Sequence, residues 1–485
     1  MSETKRALIF SFINKYSNII IQFAVVMVIA RLLTPKEIGI YSITAAFFGF
    51  GQMIRDFGIS TYIIQEKELT KEKVASAMTV SLVTCYTLAA LFYVAALPIA
   101  QFYGQPEISG LLKILCLDLL FIPFGTLTLS ILKREMRFEK ILIIDFISTI
   151  IYACTAVILA MNAFGVFSLA YAAFAGTLGT VLSSLLFRPK WVPWLPSVKQ
   201  LKSVLGFGWK MSLANIFSHI HEVSGDLVLG KTLGANSVAL FNRGFSTVRL
   251  FTQLISQSVN PVLSSVMAKK NRADEGVKDI YIMALTYTIV LAWPFFLFIS
   301  MNAELVLVTL YGEQWVDVKV LLPILALMFS ANILFSFYGQ FLVSTGLVKE
   351  NLRLVIYTTL FKVAVLLGFS VADLKIIVIA LLTTPLFKFL LIKRGLVEKL
   401  GLTFYDFTKP LYFGLVVSAV TGGTILLAQI ITDSFEHQWQ QLMFLVSSVA
   451  ITWLSSIILL KHPISDSLIK PLVTKLGQLF IRYQR

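Results

Sequence analysis

The sequence predicts an all-α polytopic membrane protein with about fourteen transmembrane helices. We expect two six-helix lobes, which are parallel repeats around a central cavity, followed by a final helix pair. Three observations lead to this fold class. The 485-residue chain is 57% hydrophobic and 14% charged, whereas soluble domains carry about 25% charged residues. Long apolar runs follow one another with short polar gaps, and the first half of the chain resembles the second half.

The apolar runs define the predicted spans in order. Each run has about 18 residues or more, which is enough for a helix to cross roughly 30 Å of hydrocarbon. We expect the spans at 8–31, 38–62, 73–99, 108–131, 138–163, 165–187, 204–229, 235–262, 277–301, 318–345, 351–371, 374–392, 409–431 and 440–460.

An internal repeat sets the predicted domain organisation. Val28–Leu33 aligns with Val228–Leu233, and Ile38–Tyr41 aligns with Val238–Phe241. Because six spans lie between the two copies, both lobes start from the same side of the membrane, as parallel repeats do. The predicted parts are an N-terminal lobe at 1–187, a cytoplasmic linker at 188–203, a C-terminal lobe at 204–395, two further spans within 396–460 and an amphipathic cytoplasmic tail at 461–485.

The placement of the positive charges predicts the orientation. The net charge is +15 at pH 7, with 41 Lys and Arg. Cytoplasmic loops of membrane proteins are enriched in Lys and Arg. With the N-terminus inside, the outside loops contain only Arg31, Lys36, Lys231, Lys319 and Lys375. We therefore expect both termini in the cytoplasm.

Polar side chains recur on one helical face in four predicted spans. A charged residue near the bilayer centre costs about 2.5–3.5 kcal/mol on insertion scales, so such faces turn to the protein interior or to a water-filled cavity. The stripes are Ser11, Lys15, Asn18 and Gln22 in span one; Gln52, Arg55, Asp56 and Ser60 in span two; Asn215, His219, Glu222 and Asp226 in span seven; and Asn242, Ser246, Arg249, Gln253 and Asn260 in span eight.

Two interpretations of these stripes remain open. In the structural one, the charges are paired struts, such as Lys15 with Asp56 or Asp145 and Arg249 with Glu222, and His219 is a core histidine. In the functional one, the stripes line a transport cavity with three kinds of group. These are the cations Lys15, Arg55, Arg243 and Arg249 for an anionic substrate; Asp56, Glu222, Asp226 and His219 as candidates for proton or ion coupling; and the polar residues Asn18, Gln22, Gln52, Asn215, Asn242 and Gln253.

Several classes of function lack a signal in the sequence. The chain has no P-loop, so we expect no ATP motor. His219 and His221 are two residues apart and point to different helical faces, which disfavours a shared metal ion. The outside loops carry no acid pair or metal cluster of the kind that a membrane glycosyltransferase would need. We expect no enzyme activity, no cofactor and no metal.

The turn between the first two spans carries a family resemblance. Ala30–Tyr41 reads ARLLTPKEIGIY, and Phe57-Gly58 follows the Arg55-Asp56 pair. An ARLLTPxExGxY turn resembles the polysaccharide transporter branch of the MOP superfamily, which contains the Wzx-type oligosaccharide flippases, and the colanic-acid exporter-like group in particular. The resemblance extends along the whole chain.

The resemblance implies both a fold and an activity. The fold is two V-shaped bundles around a central cavity in the bacterial inner membrane. The activity is export of undecaprenyl-diphosphate-linked oligosaccharide units from the inner to the outer leaflet by alternating access, for exopolysaccharide, capsule or O-antigen. It also implies coupling to a proton or sodium gradient, and polysaccharide polymerase or export machinery as a partner, with no role for nucleic acid.

The four cations Lys15, Arg55, Arg243 and Arg249 lie on the leading helix pairs of the two lobes and suit such a diphosphate. Two rival hypotheses remain. One is a multidrug or toxin exporter of the same superfamily, for which a carboxylate-dominated cavity would be expected. The other is a membrane scaffold in a polysaccharide assembly complex, which would not itself transport.

Overall fold

A computed structural model describes residues 3–56, 59–273, 275–432 and 434–465. Within these ranges the chain is helical and contains no β-strand. Phe57 and Gly58 of the predicted motif lie outside the described residues, as do the side chains of Asp56 and Asn215 and most of the predicted tail at 461–485. The all-α polytopic fold class is confirmed.

The chain forms two compact units, residues 1–240 and 241–485. The helices of the first unit are α1 (Glu3–Leu32), α2 (Pro35–Asp56), α3 (Ile59–Gln65), α4 (Lys71–Tyr103), α5 (Glu107–Arg134), α6 (Phe138–Met161), α7 (Phe167–Leu186) and α8 (Leu201–Thr232). The first unit thus contains α8, which the repeat assigns to the second lobe. The predicted lobe boundaries, which follow the repeat, stay a prediction.

The second unit begins within α9 and continues to the end of the chain. Its helices are α9 (Gly234–Arg272), α10 (Lys278–Met301), α11 (Ala303–Tyr311), a 3-10 helix (Glu313–Val320), α12 (Leu322–Ile333), α13 (Tyr338–Ser344), α14 (Val348–Gly368), α15 (Leu374–Ala380), α16 (Thr383–Glu398), α17 (Phe404–Thr432) and α18 (Gln438–Leu459).

Eleven helical stretches in the described part are long and apolar enough to cross a membrane. They are α1 from Ile9, α4 to α7, α10, α12 with α13, α14, α15 with α16, α17 and α18. The other long helices are α2, α8 and α9, with 22, 32 and 39 residues, and these three carry predicted polar stripes. The predicted count of fourteen spans is not confirmed and stays a prediction.

The turn that carries the family resemblance is a capping box at the start of α2. Thr34 N–H and its hydroxyl both donate to Glu37 Oε2 at 2.8 Å, and Glu37 N–H donates to Thr34 Oγ1 at 3.3 Å. Pro35 occupies the first helical position, where no N–H is required. These contacts satisfy the free N–H groups at this helix end and fix the direction of α2.

Two glycines let neighbouring segments approach this turn. A Cβ added to Gly39 would lie 1.8 Å from the carbonyl oxygen of Ala235, so only glycine fits where α2 meets the start of α9. Gly165 has φ +55°, in the left-handed region, and a Cβ there would lie 2.5 Å from Glu37 Oε1. The motif therefore consists of residues that a tight helix junction needs.

The first unit is held by packing of α1 on α6, α6 on α7, and α5 on α4 and α7. Val25, Ile29 and Leu169 lie in the buried cluster between α1 and α7. The segment between α7 and α8, where the linker was predicted, is tied to α4. Thr79 Oγ1 donates to Ser197 O at 2.7 Å, and Gln200 N–H donates to Ser76 Oγ at 3.1 Å.

The second unit is built on α10, which packs against α12 and α17, and α17 packs against α18. Its apolar contacts include Val290, Phe413, Val417 and Ile457, all buried. Other apolar side chains are exposed, as a lipid-facing surface requires; Leu459 is 81% exposed and Ile430 is 73% exposed.

Candidate functional site

In the first unit, polar side chains of α1 and α6 form a continuous hydrogen-bonded chain. Asn14 Nδ2 donates to Asp145 Oδ2 at 2.7 Å, Asn18 Nδ2 donates to Asn14 Oδ1 at 2.9 Å, and Thr149 Oγ1 donates to Asn18 Oδ1 at 2.6 Å. Hydrogen bonds of this kind hold membrane helices together. Asn18, predicted as a cavity residue, therefore also joins α1 to α6.

The predicted charges of this unit lie beside that network. Asp145, one of the two partners expected for Lys15, accepts from Asn14. Lys15 itself is half-buried, and Gln22, two turns further along α1, is exposed. Gln52 and Arg55 are both half-buried near the end of α2. Two cations of the first unit, Lys15 and Arg55, are therefore neither fully buried nor fully exposed.

His219 packs α8 against α2. Its side chain is 9% exposed, and Nε2 donates to the carbonyl oxygen of Ala46 at 3.2 Å. The ring stands edge-on to Phe50, with centroids 4.9 Å apart. A Cβ added to Gly49 would lie 2.4 Å from the ring. These contacts are those of a core histidine that stabilises a helix pair, and the coupling role of His219 stays a prediction.

The other two acids of the α8 stripe lie along the same helix. Glu222 is exposed and Asp226 is half-buried. Beyond them, the end of α8 is attached to α4, because Tyr103 Oη donates to Leu227 O at 3.1 Å and Lys231 Nζ donates to Phe102 O at 2.6 Å. Within the first unit, α8 is thus fixed at one end, and its acids are placed along the helix between that end and His219.

In the second unit, Arg243 is enclosed by aromatic rings. Its guanidinium carbon lies 4.4 Å from the ring centroid of Tyr311 and 4.5 Å from that of Trp315, and the residue is 8% exposed. Thr247, one turn along α9, hydrogen-bonds the hydroxyl of Tyr311 at 3.3 Å. Cation–π contacts of this kind contribute about 2 kcal/mol when desolvated. Arg243 therefore stabilises the segment between α10 and α12, and its predicted contact with substrate stays a prediction.

The remaining α9 residues are more accessible than Arg243. Asn242 and Arg249 are half-buried, and Gln253 is exposed. The ring of Phe245, on the intervening turn, lies 5.7 Å from Nζ of Lys362 on α14. Lys362 is 6% exposed. The second unit thus carries Arg249 on α9 and an additional buried cation opposite that helix.

Three of the charged residues that lie inside the spans but outside the predicted stripes are isolated charges. They are Lys362 on α14, Lys388 on α16 and Asp118 on α5, which is 4% exposed and has an Oδ1 without a hydrogen-bond partner. Each is a single charge within an apolar run: TTLFKVAVLL, TPLFKFLLI and ILCLDLLFIP. Such residues do not belong to a polar stripe, because a stripe requires several polar positions on one helical face. An isolated charge at mid-span is the signal that would have found them.

One histidine outside the spans has a perturbed ionisation. His462 follows α18 and is fully buried, with its ring edge-on to Phe413 at 4.6 Å. Burial, and then the positive charge of Lys409, lower the pKa of His462 to about 4. Its Nδ1 accepts from the N–H of Ile464 at 3.1 Å. His462 is therefore neutral at physiological pH. Its ring packs against Phe413 of α17 just after α18 ends.

The cations inside the spans suit an anionic ligand. Arg and Lys form their strongest hydrogen bonds with carboxylates and phosphates, and these bonds gain strength away from water. The described residues contain no group of three or more His, Cys, Asp or Glu that could hold a metal ion. The chemistry that the cations inside the spans offer is binding of an anion.

Comparisons with known proteins identify relatives of this chain. Residues 28–320 match the family described as polysaccharide biosynthesis protein. The succinoglycan biosynthesis transport protein ExoT of Rhizobium meliloti (strain 1021) is 26% identical over 318 residues, which are 65% of this chain and 64% of ExoT. The chain thus spans just under two thirds of the length of that relative. The lipopolysaccharide biosynthesis protein WzxC of Escherichia coli (strain K12) is 22% identical over 413 residues, 81% of this chain and 82% of WzxC.

A solved structure shares the fold. The lipid II flippase MurJ in an inward closed conformation superposes with a TM-score of 0.76 at 16% identity, over 94% of this chain and 100% of that chain. At this level of identity the likeness concerns the fold alone. Together with the apolar helices, it describes a multi-pass membrane protein.

Proposed function

Because the chain belongs to the polysaccharide biosynthesis protein family, we propose that it is a flippase for lipid-linked oligosaccharides. The substrate in this proposal is an undecaprenyl-diphosphate-linked repeat unit, which moves from the inner to the outer leaflet by alternating access. The observation that carries the proposal is the family match over residues 28–320. The resemblance to transport proteins for succinoglycan and to a lipopolysaccharide biosynthesis protein supports it.

The charge inside the spans supports a diphosphate headgroup. The first unit contributes Lys15 and Arg55, and the second contributes Arg249 and Lys362. A charged side chain within a membrane is costly, and the charges that are retained there often mark a substrate or ion pathway. We assign contacts with an anionic headgroup to the cations of each unit separately. Arg243 is left out of the assignment because Tyr311 and Trp315 lie against its guanidinium.

The lipid tail determines what the protein has to do. A polyprenyl chain is stable in hydrocarbon and remains in the bilayer during transfer. The diphosphate and the sugars are the parts that need a polar path. In the proposed mechanism, the assigned cations replace the water around the diphosphate, and the coupling candidates Asp56, Glu222, Asp226 and His219 respond to an ion gradient.

The experiment is deletion and complementation in the producing strain. Deletion is expected to abolish surface polysaccharide and to accumulate lipid-linked oligosaccharide, measured by mass spectrometry of lipid extracts. Complementation with Arg249→Gln or Lys15→Gln should lower export roughly tenfold to hundredfold, since a hydrogen bond to a charged group contributes about 1.5–3 kcal/mol. Arg272→Gln is the matched control, because Arg272 is an exposed cation at the end of α9.

Two results would contradict different parts of the proposal. Full export by Arg249→Gln and Lys15→Gln at normal protein levels would remove the cation assignment. An unchanged amount of lipid-linked oligosaccharide in the deletion strain would contradict the flippase function. If that strain instead became sensitive to cationic drugs, the multidrug alternative would replace it.

A further inference from the structure

A polar cavity of about 700 Å³ opens at one end of the second unit. It lies where α10 and α17 end and α18 begins, and α11 and the 3-10 helix form its other wall. None of its residues belongs to the polar stripes. Its polar lining consists of Thr432 and of the amides and carboxylates of Asn302, Glu304, Glu313, Gln429, Gln438 and Gln441.

The charge pattern assigns this end of the unit to the outer face. The segments at this end, 302–321, 369–373 and 433–437, contain one Lys and no Arg. By the positive-inside rule, the end that is rich in Lys and Arg faces the cytoplasm. The opposite end carries Lys269, Lys270, Arg272, Lys278, Lys349, Arg353, Lys393, Arg394, Lys399 and Lys461.

The lining matches the chemistry of a sugar. Primary amides and carboxylates offer donors and acceptors that fit neighbouring hydroxyl groups. Leu305, Val308 and Leu445 add apolar surface, against which the C–H face of a sugar ring can pack. The lining includes two carboxylates, of which Glu304 is paired with Lys319, and no Lys or Arg, so it offers no cation to a diphosphate or a uronic acid.

Several of these polar groups are held in place before any ligand arrives. Gln429 Nε2 donates to Asn302 Oδ1 at 3.0 Å, and Asn302, 5% exposed, donates to Phe298 O at 3.0 Å. Gln441 Nε2 donates to Phe435 O at 3.1 Å, and Glu304 pairs with Lys319 at 2.7 Å. A site with fixed side chains loses less conformational entropy on binding.

We propose that this cavity binds uncharged sugar residues of an oligosaccharide on the outer face of the membrane. The proposal rests on the proposed function for the source of the sugar. In that context the cavity holds the glycan after translocation, separately from the cations that meet the diphosphate. A protein partner that inserts a polar loop is the competing occupant.

Binding can be measured without transport. The probe is the repeat-unit oligosaccharide released by mild acid from the lipid-linked intermediates of the producing strain. The full-length protein in nanodiscs is titrated with it, and binding is followed by saturation-transfer NMR. Gln438→Leu and Gln441→Leu should each lower affinity about three- to tenfold, the range expected for one hydrogen bond.

The chain offers a matched control within the same helical turn. Gln440 is exposed and does not line the cavity, so Gln440→Leu should bind like the wild type. Thermal unfolding of all three variants checks that the fold is intact. Equal affinity of all three, absence of binding by the wild type, or displacement of the sugar by inorganic pyrophosphate would each overturn the proposal.

The flippase function and this inference fail in different ways. If the wild-type protein moves lipid-linked oligosaccharide but Gln438→Leu and Gln441→Leu bind the sugar normally, only the cavity assignment fails. If the deletion strain accumulates no lipid-linked oligosaccharide, the proposed function fails, and the binding titration still decides whether the cavity accepts a sugar.

Discussion

The contact between Gly49 and His219 gives a prediction whose size follows from the structure. A Cβ at position 49 would lie 2.4 Å from Cε1 and Nε2 of His219, whereas non-bonded carbons prefer about 3.5–4.0 Å. In Gly49→Ala the ring must therefore move by roughly 1 Å. Such overpacking destabilises by about 1–3 kcal/mol, and loss of the hydrogen bond to Ala46 O adds about 1 kcal/mol.

A double-mutant cycle isolates this contact. His219→Ala removes the ring, so Gly49→Ala added to it should cost almost nothing, and the coupling between the two changes should equal the overpacking cost plus the cost of the lost hydrogen bond. The assay is unfolding of purified protein in detergent, with Gly423→Ala as the control, because a Cβ at Gly423 meets nothing within 4 Å. If the two changes destabilise additively, His219 does not lie over Gly49 and the description of the α2–α8 contact is refuted.

Three further predictions concern stability. Glu37→Ala should destabilise by about 1–2 kcal/mol through loss of the capping box, whereas the exposed neighbour change Lys36→Ala should not, as measured by thermal unfolding. Trp315→Ala should cost about 3–5 kcal/mol, because Trp315 is 0% exposed and covers Arg243; a loss below 1 kcal/mol would contradict that packing. The folded-state pKa of His462 is about 4, below the ordinary histidine value of 6.5, because the ring is buried and Lys409 is positively charged. Stability should therefore hold above about pH 6.5 and fall as the pH drops towards 4, and His462→Gln should flatten that profile.

The features that could be predicted from the sequence are those that depend on neighbouring residues. Apolar runs predicted the helices, and the all-α polytopic class is confirmed. The turn motif was identified as a family signature, and the structure gives its physical reasons. Thr34 and Glu37 cap α2, and Gly39 leaves room for the carbonyl oxygen of Ala235. Such local rules need no knowledge of distant helices.

The partners of the polar residues could not be predicted in this way. Helical periodicity gives the face on which a side chain lies, but not which helix packs there. Asp145 was one of two partners expected for Lys15, and the bond that it accepts from Asn14 was not foreseen. Arg243 was assigned to substrate, and the structure shows Tyr311 and Trp315 against it. These contacts join residues far apart in the chain, so they depend on tertiary packing.

The central claim is that the protein moves lipid-linked oligosaccharide across a membrane. It is tested most directly by reconstituting the purified protein into liposomes with a radiolabelled lipid-linked oligosaccharide in both leaflets. A glycosidase added outside then cleaves only the outer pool. With the protein and an imposed ion gradient, cleavage should rise from about half of the substrate towards all of it within minutes. Cleavage that stays at the level of protein-free liposomes, under every ion gradient applied, would contradict the claim.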